Sequence, residues 1–279
     1  MPRSIKFLDP VIDLFKTPTW ALPSVETDQT KATPSNQSPV FQTNFASLSF
    51  YGNDKILLDG FPVPILGLLK MTVSKSWPRG IQCARDCRGV KELVLRGYPW
   101  LSVGSNSVQA RRLVKQILVA LYNEGWVLTL STSIFKWRHD KDSMIFRHQT
   151  PVPVPCEWMC ISFAYLDSIR LIDAPQTVLD EMVETLSFCT HRHGIYMPNA
   201  YVIQLKGNPW ASRIHHRAIT ARRLQLILIN VLEANGFTVY ASIVQDMSFI
   251  KETKNGKVAD TWHCCRALDW TPGMPVYHA

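Results

Sequence analysis

The chain has 279 residues, 46% of them hydrophobic and 19% charged, which suits one large domain or two modest ones and excludes disorder along its whole length. No apolar run reaches the roughly 20 residues of a membrane-spanning helix, and MPRSIKFLDP at the start lacks the apolar core of a secretory signal. Lys and Arg total 30 against 22 Asp and Glu, a net charge of +8, and residues 70 to 115 alone hold ten cations and two acids.

In chain order, residues 1–50 read as a flexible N-terminal arm. Asp9 and Pro10 suit the start of a short helix near 9–16, and the polar, proline-bearing run that follows reads as a linker. Residues 51–91 read as a basic strand and turn segment joined to the core. Ile56 to Leu58 and Val63 to Leu69 are apolar, with Gly60, Pro62, Pro64 and Gly67 interrupting, so short strands and turns are expected.

An internal duplication follows. Residues 93 to 131 carry LVLRGYPWLS, then ARRL, a helical run and GWVLTLS. Residues 203 to 242 carry IQLKGNPWAS, then ARRL, a similar run and GFTVYAS. Leu95/Leu205, Gly97/Gly207, Trp100/Trp210, Arg111/Arg222, Arg112/Arg223 and Gly125/Gly236 are among the identical pairs. A spacing above 100 residues marks a doubled domain and not a solenoid. Each copy reads as a strand ending at the first glycine, a loop with the Trp, and a helix. The second glycine closes that helix as a left-handed cap, and another strand follows.

Trp158 to Phe163 and Ile169 to Ile172 read as further strands, and Ala174 to Phe188 as a helix with Val178, Met182 and Leu186 on one side. The expected repeats are therefore 92–198 and a shorter 199–279. The fold class is α+β: internally duplicated strand–loop–helix–strand units with a mainly antiparallel sheet and helices on one face.

The paired Leu-[Arg/Lys]-Gly-x-Pro-Trp, Ala-Arg-Arg-Leu and Gly-[Trp/Phe] pattern resembles an uncharacterised eukaryotic family of fungi and invertebrates, over about residues 92 to 270. That resemblance carries no known activity. The duplicated order of strand, helix, four strands and helix is similar to that of the TATA-box-binding family, whose sheet lies in the DNA minor groove. No sequence motif supports that second likeness.

The candidate anion-binding residues are Arg111, Arg112, Arg222 and Arg223, with Arg96 and Lys206 in the preceding loops. Arg forks near a helix start suit phosphate or carboxylate, while a fixed internal ion pair is the plainer reading. Trp100 and Trp210 are either stacking platforms or core plugs with a bonded indole N–H.

Seven cysteines and no export signal suit reduced thiols in an intracellular protein of cytoplasm or nucleus. Cys83/Cys87 and Cys156/Cys160 lack the Cys-x₂-Cys spacing of zinc knuckles, so neither metal nor cofactor is expected. No nucleophile-elbow, phosphate-loop or zinc-protease motif occurs in the sequence. Asp140, Asp142, Asp246 and Asp260, with His215-His216, are the candidates for an unrecognised carboxylate or His site. The expected function is a non-catalytic binding module whose basic loops meet an anionic partner. That partner is a nucleic acid, a phospholipid headgroup or an acidic protein. A nucleic-acid protein using paired Arg/Trp loops is one alternative, and an enzyme is another.

Overall fold

The computed structural model describes residues 43–132, 140–211, 215–244 and 260–276. The helix expected near 9–16 lies outside these residues. The first sheet contains β1 (Phe45–Tyr51), β2 (Lys55–Asp59), β3 (Ile81–Cys87), β4 (Val90–Leu95), β5 (Trp126–Thr132) and β6 (Asp140–His148). Between its strands run helices α1 (Val63–Ser76) and α2 (Ser105–Asn123). The second contains β7 (Cys156–Ala164), β8 (Ser168–Ile172), β9 (Thr190–Met197), β10 (Ala200–Leu205), β11 (Thr238–Ile243) and β12 (Thr261–Ala267). Its helices are α3 (Gln176–Thr185) and α4 (His215–Ala234).

The spatial order β3-β4-β2-β1-β6-β5 recurs as β9-β10-β8-β7-β12-β11, the same arrangement six strands on. All pairings are antiparallel. The repeat is therefore strand–strand–helix–strand–strand–helix–strand–strand, and both copies are complete.

Unit edges at 92 and 199 would cut through both sheets. The recurring Gly, Pro-Trp and Arg-Arg-Leu all fall between β4 and β5, or between β10 and β11. They mark the period and not its starting point. Residues 45–50 of the expected arm belong to β1, and Val63 to Leu69 belong to a helix instead of strands and turns. Pro62 and Pro64 sit at the start of α1, where a missing N–H costs nothing. Ile65, Leu69 and Val73 then recur at helical spacing and are buried.

Inward residues alternate with outward ones on each strand. Leu48, Phe50, Ile56, Leu58, Leu93, Leu95, Met144 and Phe146 form the first core with Leu113, Ile117 and Leu121 of α2. Met159, Ile161, Ile169, Leu171, Ile203 and Cys264 form the second with Val178 and Met182 of α3 and Leu224 and Leu228 of α4. Each sheet thus carries its helices on one face.

The other face of the second sheet is also buried. Cys160, Ile172 and Ala200 pack on Val108 of α2, and Trp158 and Cys265 join the first core. Tyr122 of α2 meets the rings of Trp158 and Tyr240 edge-on, at 5.4 and 5.6 Å. The layers run first sheet, α1 and α2, second sheet, α3 and α4. The sheets are separate and not joined into one saddle; α2 lies between them, and their edge strands β5 and β11 meet, the Leu128 N–H donating to the Tyr240 hydroxyl at 2.7 Å.

Both helix-capping glycines are left-handed, Gly125 at φ +79° and Gly236 at φ +77°. A Cβ on Gly125 would stand 2.6 Å from the Gln149 carbonyl, and one on Gly236 would enter the Trp270 ring. Gly125→Ala and Gly236→Ala should each cost about 2 kcal/mol, from left-handed strain plus the clash. Urea denaturation of the two variants measures this.

Candidate anion-binding site

The two Arg pairs occupy different settings. Both helices begin earlier than the Ala-Arg-Arg-Leu motif, so the arginines lie beyond the first turn, where the helix terminus exerts little field. Arg111 is buried and donates from Nη1 to the Ser107 carbonyl at 2.8 Å. Arg112 donates from Nε to both oxygens of Asp173 (3.0 and 3.2 Å) and from Nη2 to the Pro198 carbonyl (2.7 Å). Lys115 adds a 2.6 Å bond to Asp173.

Asp173 holds a left-handed turn just after β8, at φ +54°, a conformation Asp tolerates better than most residues. The anion of Arg112 is thus supplied from within, and the contact clamps α2 to the second sheet. Burial pushes the Asp173 carboxyl up, but the hydrogen bonds and charges of Arg112 and Lys115 outweigh it and hold the carboxyl below its ordinary value.

In the second copy, Arg222 and Arg223 are exposed and make no ion pair among the described residues. Arg96 and Lys206 are exposed at the ends of β4 and β10. Lys206 reaches the Phe188 carbonyl at 3.5 Å.

The tryptophans share a backbone bond and differ in depth. Trp100 N–H donates to the Asn53 carbonyl and Trp210 N–H to the Leu166 carbonyl, each at 3.1 Å. Trp100 is fully buried, its ring centroid 4.3 Å from that of Phe50 at a tilt of 41°, with its indole N–H on the Lys55 carbonyl at 3.0 Å. Trp210 is half-buried against Phe163 at 5.1 Å.

A cleft of about 860 Å³ lies over the end of the second sheet formed by β8, β10 and β9, lined by Arg170, Tyr165, Tyr196, Arg192 and Gln204 among others. Arg170 points from the middle of β8 and is 4% exposed. Its guanidinium stacks on Tyr196 (4.6 Å) and Tyr165 (5.4 Å). Nη1 donates to Ser107 Oγ of α2 at 3.0 Å, whereas Nε has no hydrogen-bond partner among the described residues. Among the described residues no carboxylate pairs with it.

The one acid lining this cleft, Asp167, is already engaged. It accepts from Ser168 Oγ at 2.8 Å and from Gln204 Nε2 at 2.7 Å, and Arg192 in turn donates to Gln204 at 2.6 Å. A buried guanidinium with no carboxylate partner among the described residues is costly.

A sequence-family model for an uncharacterised domain matches the chain twice, at residues 44–147 and 157–265. The chain belongs to that family. The two matches cover most of the chain and coincide with the two sheets, so the family's domain is the whole eight-element unit. No curated protein matches the chain, and no solved structure does.

Across the two family domains the cleft is unequal. The shared hydrogen bonds Leu95 N–H to the Asp54 carbonyl and Leu205 N–H to the Asp167 carbonyl, each 2.8 Å, align β2 with β8. By that register Arg170 stands where the first domain has Leu57. Sequence reasoning passed Arg170 over because one Arg in Ser168-Ile-Arg-Leu-Ile resembles any strand arginine. Its only signal is a charge inside a short, otherwise mostly apolar run.

Cys160 and His263 also come together, Sγ to Nδ1 at 3.2 Å, in the manner of a thiol–imidazole pair. Burial pushes the Cys160 thiol up to about 12 and, with Arg111 and Lys115 nearby, the His263 imidazole down to about 3. Both side chains are fully buried. Cys83 and Cys87 lie on β3, and Cys156 and Cys160 on β7. Among the described residues no three His, Cys, Asp or Glu converge as metal ligands. No helix among them is long and apolar enough to cross a membrane. Asp260 accepts a 2.7 Å bond from Ser242. Asp246 and the side chains of Asp140, Asp142, His215 and His216 lie outside the described residues.

Proposed function

We propose that this chain is a non-catalytic binding protein that takes an anionic group of its partner in the Arg170 cleft. The observation that carries the reading is the buried guanidinium of Arg170, held by Ser107 and two tyrosine faces and lacking a carboxylate partner among the described residues. The open β8-β10-β9 face admits a nucleic acid, a phosphorylated headgroup or an acidic protein segment. Paired Arg/Trp loops draw less support, because Trp100 is a core residue and Arg112 is bound to Asp173. An enzyme draws little from the fully buried Cys160–His263 pair.

Three probes test the proposal by fluorescence anisotropy or vesicle flotation: a labelled single-stranded oligonucleotide, vesicles containing a phosphoinositide, and a poly-glutamate peptide. At least one should bind, with affinity falling as salt rises. Arg170→Gln, which retains a donor for Ser107, should weaken that binding about tenfold or more while circular dichroism stays unchanged. Binding that Arg170→Gln leaves intact, or no binding by any probe, would overturn the reading.

A further inference from the structure

The contact between the two domains is heterologous: the outer face of α2 meets the outer face of the second sheet. Each domain has both kinds of face, so one of each is left over. These are the outer face of α4 and the outer face of the first sheet.

On α4, Ile219, Arg222, Arg223 and Leu226 stand at the positions of Val108, Arg111, Arg112 and Lys115 in α2. The α2 residues are covered by the second sheet, whereas the α4 residues are exposed, Leu226 by 62%. On the first sheet, Phe45 stands at the position of Trp158 and is 53% exposed. Gly60 takes the left-handed position of Asp173, at φ +76°. The carboxylate there belongs instead to the exposed Asp59, one residue earlier.

Within the chain, Arg112 binds Asp173, and Lys115 donates to the Trp158 carbonyl at 3.3 Å. Repeating that docking between chains sets Arg223 over Gly60, next to the Asp59 carboxylate that takes the position of Ile172, and Leu226 over Phe45. Charge meets opposite charge, and apolar meets apolar. Both free faces therefore retain a match in the register already used inside the molecule.

We infer that the chain associates head to tail with a second copy of itself, the outer face of α4 seated on the outer face of the first sheet. A heterologous contact of this kind continues the stack and does not close on itself as a two-fold dimer would. It rests on residues separate from the Arg170 cleft.

Sedimentation velocity of the full chain over a concentration series tests it, with Arg223→Glu, Asp59→Arg and their equimolar mixture. The wild type should rise from 31.8 kDa towards multiples of that mass as concentration increases. Each reversal alone should weaken association at least about tenfold, through like charges brought together. The mixture should recover association as an alternating stack, because opposite charges meet in every contact between unlike variants, whereas like variants repel. Both sites are exposed, so unchanged circular dichroism is expected. A wild type that stays monomeric at the highest concentration, association that survives both reversals, or a mixture that does not recover would each overturn the inference.

Discussion

Asp173→Asn is expected to lower stability by about 3 kcal/mol, with a drop in melting temperature of several degrees. Asn fills the same space and tolerates the left-handed turn, so the change isolates the charge. Arg112 and the buried Lys115 would then face each other with no anion between them. The cost belongs to the upper range for single substitutions because it strands two cations at once. Partial exposure of Asp173, at 22%, keeps it from being larger.

The same carboxyl makes stability pH-dependent. Its native pKa is depressed, so its contribution is complete above the unfolded value of about 3.9. It fades as pH falls through that value towards the lower native one. Urea midpoints measured for both proteins across mildly acidic pH should show the wild type losing this advantage, while Asp173→Asn loses less.

Trp100→Ala is expected to cost about 4 kcal/mol, the range for emptying a large aromatic from a closed core. The ring is fully buried, and the Lys55 carbonyl would lose its indole donor as well. Trp100→Phe should separate these effects, retaining most of the packing and costing about 1–2 kcal/mol for the orphaned carbonyl. Trp210→Ala should cost clearly less than Trp100→Ala, since Trp210 is only half-buried and its indole N–H has no partner among the described residues. Denaturant titration of the three variants measures the difference. Equal losses at Trp100 and Trp210 would contradict the asymmetry between the domains.

The duplication was legible because the glycines and Pro-Trp occupy positions with little freedom, left-handed turns and a tight loop, and because Arg-Arg-Leu recurs at the same place in the following helix. The start of each unit was not legible. Phe45 to Ser76 and Cys156 to Thr185 fold alike and share Phe50/Phe163, Asp54/Asp167, Ile56/Ile169, Leu58/Leu171 and Pro62/Pro175 among other pairs, but these identities come in ones and twos of common residue types, with no run as distinctive as Pro-Trp or Arg-Arg-Leu. Pro62, Pro64 and Gly67 read as breakers, yet two of them stand at a helix start, where proline is at home. The Arg pairs stood out by repetition. What repetition could not reveal is that one pair would be enclosed by the neighbouring domain and the other left in solvent. Arg170, with no counterpart in the first copy, offered no repetition to notice.

Ser107 belongs to the first domain and Arg170 to the second. If an anion binds in the cleft as proposed, its binding and the docking of the two domains are thermodynamically linked. Whatever neutralises the guanidinium favours the arrangement that holds Ser107 against it, by an amount set by ligand concentration relative to its dissociation constant. Conversely, loosening the clamp at Asp173 would release Arg170 from its anchor and reduce its preorganisation for an anion. The ion pair that joins the halves and the buried arginine at their margin share α2, so the helix can relay the state of one to the other.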